Sequence, residues 1–217
     1  MKLPEDAIVV QIGTNDGKDD FHDLCVEYLP SKIVLVEPNK ILLPYILTNY
    51  KSIISSVYVE IAAITEVNKG IVELHIPQDL VDKKKEKENP IYATGHYSLF
   101  ETKEWYGHET KTGRTIQSPS MTFEELCEKY QIKDIDFLQI DAEGYDWKII
   151  ESIDFEKHNI KLLQYESTYF DVANFMHHTE ADVKIGQEGM LNTFKYLVAK
   201  GYKMERIDDM NVLGIKE

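Results

Sequence analysis

Two acidic residues, Asp141 and Glu143, directly follow an apolar run and stand before Gly144. Open α/β sheets place reactive groups at the carboxyl ends of their strands, where a glycine lets the chain turn sharply. A carboxylate at such a position can accept a proton from a reacting group. His96, in a separate aromatic segment, has an ordinary pKa that suits proton transfer near neutral pH. Asp141, Glu143 and His96 are therefore the candidate catalytic bases, and Asp141 is the best placed of them.

A second group of residues predicts a ligand-binding loop near the N-terminus. An apolar run ends in Gly13, and Gly17 follows shortly before an amphipathic helix. Glycines let the backbone approach a ligand closely, and the start of a helix offers unpaired N–H groups. Glu37 ends the second apolar run, and a carboxylate there can accept both hydroxyls of a ribose. Together these features favour a ligand that contains adenosine.

The side chains inside this loop distinguish two such ligands. A dinucleotide site favours three glycines and a helix start free of negative charge, because the pyrophosphate binds there. Asn15 and Asp16 occupy the middle of the loop instead. Asp16 repels a pyrophosphate but is compatible with the sulfonium and amino groups of S-adenosylmethionine (SAM). SAM is the favoured cofactor, and a nicotinamide-dependent (NAD) oxidoreductase is the alternative from another reaction class.

Hydrophobic periodicity predicts the elements that position these residues. The strands are expected at 7–13, 32–37, 56–64, 71–76, 135–141 and 160–166, and the helices at 18–29, 39–50, 121–131, 145–153 and 187–200. This alternation predicts an α/β fold with a mostly parallel sheet that is covered on both faces. Residues 201–206 and 212–215, around a polar turn, predict a C-terminal β-hairpin.

The segment 77–120 interrupts the alternation. It contains a charged run at 82–88, for which we expect a solvated tip, and then an aromatic stretch from Tyr92 to His108. A loop of this length inside a compact domain is commonly functional, and aromatic side chains beside a pocket stack well on sugars and ring ligands. We expect a single domain over residues 1–217, with 77–120 inserted as an acceptor-binding or lid segment.

Composition restricts the partners. The chain has 217 residues and a formal net charge of −14, which disfavours nucleic acids and anionic membrane surfaces. No apolar run reaches the roughly 20 residues that a membrane span needs. Cys25 and Cys127 fall on apolar helix faces, which indicates buried free thiols in a reducing compartment. We therefore expect a cytoplasmic protein.

Four motifs resemble the FkbM family of SAM-dependent methyltransferases. They lie at residues 9–17, 36–39, 62–64 and 136–144. The resemblance implies a Rossmann-like class I methyltransferase fold, with a seven-stranded, mostly parallel sheet and a C-terminal antiparallel hairpin. It also implies methyl transfer from SAM to a hydroxyl of a sugar or glycan, for example a deoxyhexose. A non-sugar small molecule is the alternative acceptor.

The resemblance also assigns roles to single residues. The expected cofactor contacts are Gln11, Gly13, Thr14, Asn15, Asp16, Gly17, Glu37, Pro38, Ala63 and Asp141. The glycine loop would hold the methionine portion of SAM, Glu37 the ribose and Ala63 the adenine, with Asp141 near the methyl group. The family usually has an acidic residue where Gln11 stands, so the contact to the amino group is expected from Gln11 or Asp16.

A divalent cation is an alternative to a side-chain base, because a metal ion can polarise the acceptor hydroxyl. Its expected oxygen ligands are Asp141 and Glu166, since Glu166 ends the strand expected beside the Asp141 strand. The pair His177 and His178 lies in a polar stretch, and we expect these rings to be exposed.

The start of the chain suggests an association with other modules. Only six residues precede Ala7. We therefore expect a domain of a larger glycan-modifying protein, fused to or working with glycosyltransferases.

Overall fold

The computed structural model describes residues 2–78, 81, 96–100, 104–105, 108–109, 112–167 and 180–216. The strands are β1 (Ile8–Ile12), β2 (Lys32–Val36), β3 (Val57–Glu60), β4 (Ala63–Ile64), β5 (Ile71–Pro77), β6 (Glu104–Trp105), β7 (His108–Glu109), β8 (Thr112–Met121), β9 (Asp134–Ile140), β10 (Asn159–Glu166), β11 (Tyr202–Arg206) and β12 (Asn211–Lys216). The α-helices are α1 (Asp20–Tyr28), α2 (Leu43–Asn49), α3 (Phe123–Tyr130), α4 (Asp146–Ser152) and α5 (Glu180–Ala199), and two 3-10 helices (Lys40–Leu42 and Tyr50–Ser56) flank α2.

Seven strands form the main sheet, in the order β11-β12-β10-β9-β1-β2-β3. β1 pairs in parallel with β2 and with β9, and β2–β3 and β9–β10 are parallel pairs as well. β12 is antiparallel to both β10 and β11. The sheet confirms the predicted α/β fold with a C-terminal antiparallel hairpin. It also places the ends of β1, β2, β9 and β10 side by side.

The central strands are apolar because both of their faces are covered. Alternate residues of a strand point to opposite faces, so neighbouring valines enter different layers of the core. Val9 packs in a cluster with Phe21 and Ile46 from α1 and α2. Val10 packs in another cluster with Leu126 and Ile149 from α3 and α4. Burial on both faces fixes the strands, and with them the residues that follow their carboxyl ends.

A second, three-stranded sheet with order β4-β8-β5 corrects three sequence-based expectations. The strand expected at 56–64 is two strands, since β3 belongs to the main sheet and β4 to the small one. The strand expected at 71–76 is β5 of the small sheet, where it pairs antiparallel with β8. β8 itself lies at the end of the segment expected to be a loop. Its strand structure was not predicted, because Gly113, Pro119 and many polar residues interrupt the alternating apolar pattern.

Some helix boundaries also differ from the prediction. The helix expected at 39–50 is interrupted by 3-10 turns, and the helix expected at 187–200 begins earlier, at Glu180. The helix expected at 121–131 begins at Phe123, because Met121 is still part of β8 and Thr122 forms a capping box with Glu125.

Several predictions fall on residues outside the described ranges. They are the charged run at 82–88, Tyr92 and the pair His177 and His178. Cys25 and Cys127 are buried free thiols, as expected. In the described part of the chain, every helix is too short or too polar to cross a bilayer.

Candidate active site

A cavity of about 350 Å³ opens at the carboxyl ends of β1, β2, β9 and β10. This edge is where open α/β sheets bind ligands, and the volume falls in the range of small-molecule sites. The lining residues are Ile12, Gly13, Asn15, Val36, Glu37, Pro38, Ala62, Ala63, Ile64, Leu74, His96, Tyr97, Leu99, Asp141, Ala142, Glu143, Ile149, Glu166 and Met210. The small sheet and segment 96–99 thus form a wall of the same cavity as the main sheet.

The glycine loop, residues 13–17, follows β1 and packs closely against the end of β9. Gly13 has a φ of +84°, and a Cβ atom added there would lie 1.7 Å from the carbonyl oxygen of Asp141. The Gly13 N–H donates to the carbonyl of Val36 at 2.9 Å. Glycine is therefore required here because two chain turns meet backbone to backbone.

Glu37, at the end of β2, is buried with its carboxylate held by two backbone N–H groups. Asn15 N donates to Oε2 and Asn39 N donates to Oε1, each at 2.8 Å. Desolvation outweighs these hydrogen bonds and raises the pKa of Glu37 to about 8. Each carboxylate oxygen can accept a second hydrogen bond. The carboxylate is thus fixed in position at the cavity and keeps capacity for two ligand hydroxyls.

Asp141 and Glu166 end the adjacent strands β9 and β10 and face each other across the cavity floor. A hydrogen bond joins their carboxyl groups. Burial raises the pKa of both, and the charge of Asp141 raises that of Glu166 further. Two carboxyl groups in such proximity disfavour double ionisation, so the pair keeps a proton to a higher pH than exposed carboxyl groups do.

The acidic turn, residues 141–144, is held by hydrogen bonds to its neighbours. Asp141 N donates to the carbonyl of Ile12 at 2.8 Å. The buried Asp146 accepts from the N–H groups of Ala142 and Glu166, each at 3.3 Å, and so connects the turn to β10. Glu143 has a φ of +51°, an uncommon conformation for a residue with a side chain. Such local strain is often found at functional sites.

His96 lies against this turn although it belongs to a distant part of the sequence. Its Nδ1 is 3.5 Å from Oε1 of Glu143. Ser98 Oγ donates to the carbonyl oxygen of Glu143 at 2.8 Å, and Ser98 also exchanges backbone hydrogen bonds with His75 of β5. The hydrogen bond to Glu143 raises the pKa of His96. The structure thus brings together all three candidate bases.

Most of the predicted cofactor residues line the cavity, but four do not. Gln11 is buried behind it and donates through Nε2 to Asp19 at 2.5 Å. Thr14 is buried, Asp16 Oδ1 accepts from Lys18 N, and Gly17 packs against Tyr50. The cofactor contacts expected from these four residues stay predictions. The side chain of Gln11 contacts Asp19 and does not line the cavity.

Met210 carried no functional signal in the sequence, whereas Tyr97 belongs to the aromatic stretch that was expected beside a pocket. Met210, in the hairpin turn between β11 and β12, lines the cavity although about half of its surface is exposed. Tyr97 and Leu99 line it from the small-sheet side. Asp19 caps α1 and is largely desolvated, which raises its pKa. Asp19 does not line the cavity, and its position just before a helix indicates capping.

The acidic side chains of the cavity determine the charge of the ligands that it attracts. Four carboxyl side chains line it, those of Glu37, Asp141, Glu143 and Glu166, and its lining includes neither lysine nor arginine among the described residues. Such a site attracts a cationic ligand and repels phosphate groups. The described residues also contain no group of three or more His, Cys, Asp or Glu arranged to hold a metal ion, so the expected divalent cation at Asp141 and Glu166 is not supported.

The sequence model of the methyltransferase FkbM domain matches residues 11–204. The chain belongs to the FkbM methyltransferase family. It is therefore a methyltransferase of a SAM-dependent family, and the resemblance predicted from four motifs is confirmed. No curated protein is similar enough in sequence to be counted as a relative.

Solved structures agree on the fold. The FkbM methyltransferase from Methylobacillus flagellatus KT is 13% identical, with a TM-score of 0.53, and the match covers 99% of this chain and 44% of that one. An O-methyltransferase from Bacillus cereus, in complex with SAH (S-adenosylhomocysteine), is 10% identical, with a TM-score of 0.51 and coverage of 98% and 75%. At these identities the likeness concerns the fold alone, which is that of class I methyltransferases.

Proposed function

We propose that this FkbM methyltransferase transfers the methyl group of SAM to a hydroxyl oxygen of a sugar or glycan, for example a deoxyhexose. The observation that carries the proposal is the cavity itself. Four carboxyl side chains line it together with a histidine, at the edge where open α/β sheets bind their ligands. SAM brings a sulfonium and an ammonium group, which these carboxylates attract.

In this proposal, the adenosine part of SAM lies near Glu37 and the methionine part lies near Asp141. Glu37 accepts the ribose hydroxyls, since its carboxylate is already oriented by Asn15 N and Asn39 N. Ala63 and Pro38 flank the adenine, and both line the cavity. Asp141 faces the methionine part and the methyl group from the end of β9.

The reaction needs alignment and removal of one proton. The acceptor oxygen attacks the methyl carbon in line with the C–S bond, and the sulfide leaves, so positioning is the main task of the protein. An unactivated sugar hydroxyl does not ionise at neutral pH, and a positioned base contributes about 10²–10⁴-fold. Asp141, Glu143 and His96 all line the cavity and can supply this base. A divalent cation is not part of the proposal, because the described residues contain no cluster of three or more metal-binding side chains.

The walls of the cavity favour a neutral acceptor with an apolar side. Tyr97, Leu99 and Met210 line it beside the carboxyl groups. Aromatic and apolar side chains pack against the C–H faces of sugars, while the carboxylates repel phosphorylated or acidic acceptors. We propose further that the protein works in the cytoplasm together with glycosyltransferases, a location that suits its two buried free thiols.

A methyl-transfer assay tests the proposal. The purified protein is incubated with SAM that carries a labelled methyl group and with a panel of neutral glycosides, glycans, non-sugar alcohols and amines. We expect the label to enter a glycoside or glycan in a form that base treatment does not remove, as for an ether. Label only in amines or non-sugar alcohols would contradict the sugar acceptor, and retention of NAD in place of SAM would contradict the reaction class.

A further inference from the structure

We propose that His96, positioned by Glu143, is the base that takes the proton of the acceptor hydroxyl, and that the sulfonium charge of bound SAM prepares it for this role. The inference rests on the proposed function and names one of its three candidate bases. Glu143 then has a positioning role, and Asp141 lies on the cofactor side of the cavity.

The geometry connects the two side chains across separate elements. Nδ1 of His96 is 3.5 Å from Oε1 of Glu143, and both residues line the cavity. Ser98 Oγ donates to the backbone carbonyl of Glu143, so the segment that carries His96 is attached to the acidic turn at a second point. With Nδ1 facing Glu143, Nε2 is the nitrogen that we assign to the acceptor hydroxyl.

Asp141 is less suited to take the proton. Its side chain is partly buried and lies beside Glu166 at the end of the neighbouring strand. It also lies next to the glycine loop, since its N–H donates to Ile12 and its carbonyl oxygen contacts Gly13. These contacts place Asp141 on the cofactor side of the cavity, whereas 44% of the His96 side chain is exposed and within reach of a second substrate.

The charge around His96 explains how a protonated imidazole becomes a base. Among the described residues, Glu143 and Asp141 stabilise its charged form and raise its pKa, while Glu37 and Glu166 line the same cavity. In the empty cavity, His96 therefore keeps its proton to a higher pH than usual. SAM adds a fixed positive charge among these carboxylates, which disfavours the imidazolium and releases its proton before the acceptor reacts.

The step then balances as follows. The acceptor oxygen forms a bond to the methyl carbon while the C–S bond breaks, and the electron pair of that bond goes to sulfur, which leaves as the neutral sulfide of SAH. The acceptor proton moves to Nε2 of His96. Loss of the positive sulfonium now favours the imidazolium, so His96 holds the proton until the next SAM binds and the proton passes to solvent.

The decisive experiment compares SAM with SAH, which differ by one methyl group and one charge. The pKa of each histidine is measured by NMR on protein labelled in its histidine rings, with His96→Gln assigning the signal. We expect the pKa of His96 to be lower in the SAM complex than in the SAH complex by about one unit. His158 is the matched control, since its Nε2 pairs with Glu124 at 2.8 Å and it does not line the cavity.

Each outcome has a defined meaning. An equal pKa of His96 in the two complexes would overturn the inference and leave the proposed function intact. Failure of both SAM and SAH to shift any signal would overturn the proposed function first, and the inference with it. A pKa difference at His158 as large as at His96 would show a general charge effect and would also overturn the inference.

Kinetics of two variants separate catalysis from structural support. His96→Gln is expected to lower kcat by about 10²–10⁴-fold while the Kd for SAM stays within about threefold. Glu143→Gln removes the carboxylate that stabilises the imidazolium, so the acidic limb of the pH–rate profile is expected to move to lower pH. A purely structural role of Glu143 would lower the rate equally at all pH values, and that result would contradict the assignment.

Discussion

The glycine loop and the acidic turn follow adjacent strands and share a backbone pattern, but they contribute different chemistry. Both contain residues in the left-handed region: Gly13, Asn15 and Gly17 in the loop, and Glu143 and Gly144 in the turn. In the loop, the observed contacts are mainly made by backbone, as in the donation from Asn15 N to Glu37. In the turn, side chains enter the cavity, those of Asp141 and Glu143.

The comparison separates two requirements of one cavity. The loop needs residues that let the chain pass close to its neighbours. Substitutions there should therefore lower the stability of the fold and the affinity for the cofactor. The turn needs carboxyl groups that are shielded from solvent. Substitutions there should therefore change the rate of methyl transfer and the pH dependence of that rate. Substitutions in and around the two regions test this division.

Gly13→Ala should have the largest effect. Its Cβ would lie 1.7 Å from the Asp141 carbonyl oxygen, and its φ of +84° disfavours any side chain. We expect the free energy of unfolding to fall by about 3 kcal/mol or more, measured by urea denaturation. Gly70→Ala is the control, because Gly70 has a φ of +75° with nothing within 4 Å, and it should cost only about 1 kcal/mol. Equal losses in the two variants would contradict the packing role of Gly13.

Asp141→Asn should affect the reaction far more than cofactor binding. Removing a preorganised charge beside the reacting groups costs about 10²–10³-fold in rate, so we expect a loss of that size in methyl transfer. Asparagine retains the shape of the side chain, and the Kd for SAM should stay within about tenfold. Undiminished turnover in this variant would remove Asp141 from the mechanism.

Glu37→Gln should weaken cofactor binding far more than it slows the reaction. Losing the hydrogen bonds that the ribose hydroxyls donate to a carboxylate costs about 1.5–3 kcal/mol, so the Kd for SAM is expected to rise about tenfold or more, measured by calorimetry. The maximal rate at saturating SAM should change only a few-fold. A variant that binds SAM as tightly as the wild type would show that Glu37 does not contact the ribose.

Stability should fall as the pH rises, since the native state holds protons that the unfolded chain releases. The pKa of Glu37 is raised by burial from 4.5 to about 8, so folded protein binds more protons than unfolded protein between these values. This contribution to the free energy of unfolding is complete below 4.5 and lost as the pH rises through about 8. Thermal unfolding across this range should show the decline, with a smaller slope in Glu37→Gln. An equal slope in the two proteins would assign the decline to other groups.

Removing metal ions should have the smallest effect. The described residues contain no cluster of three or more metal-binding groups. Extensive dialysis against a chelator is expected to leave the rate of methyl transfer unchanged. A loss of activity that Mg²⁺ or Mn²⁺ restores would show that a cation acts in the turn region after all.

The sequence predicted the parts of this site that depend on local order along the chain. β1, β2, β9 and β10 are apolar runs because both of their faces are buried, and Glu37, Asp141 and Glu166 follow from where those runs end. Side chains at neighbouring carboxyl ends of parallel strands must lie close together, so this acidic group was predictable.

The remaining features depend on contacts between distant segments. β8 has a polar sequence, and its partner β5 gives it strand structure through pairing. The contact of His96 with Glu143 requires the small sheet to hold segment 96–99 against the acidic turn, and no local pattern encodes that arrangement. Met210 reaches the cavity because Ser167 N donates to its carbonyl oxygen, again a contact between separate strands.

A crystal structure of the protein with SAH would locate each part of the cofactor. We expect both ribose hydroxyls within hydrogen-bond distance of the Glu37 carboxylate, with the sulfur on the side of Asp141 and His96. An SAH molecule with its ribose away from Glu37, or its sulfur away from the acidic turn, would contradict the division between the loop and the turn.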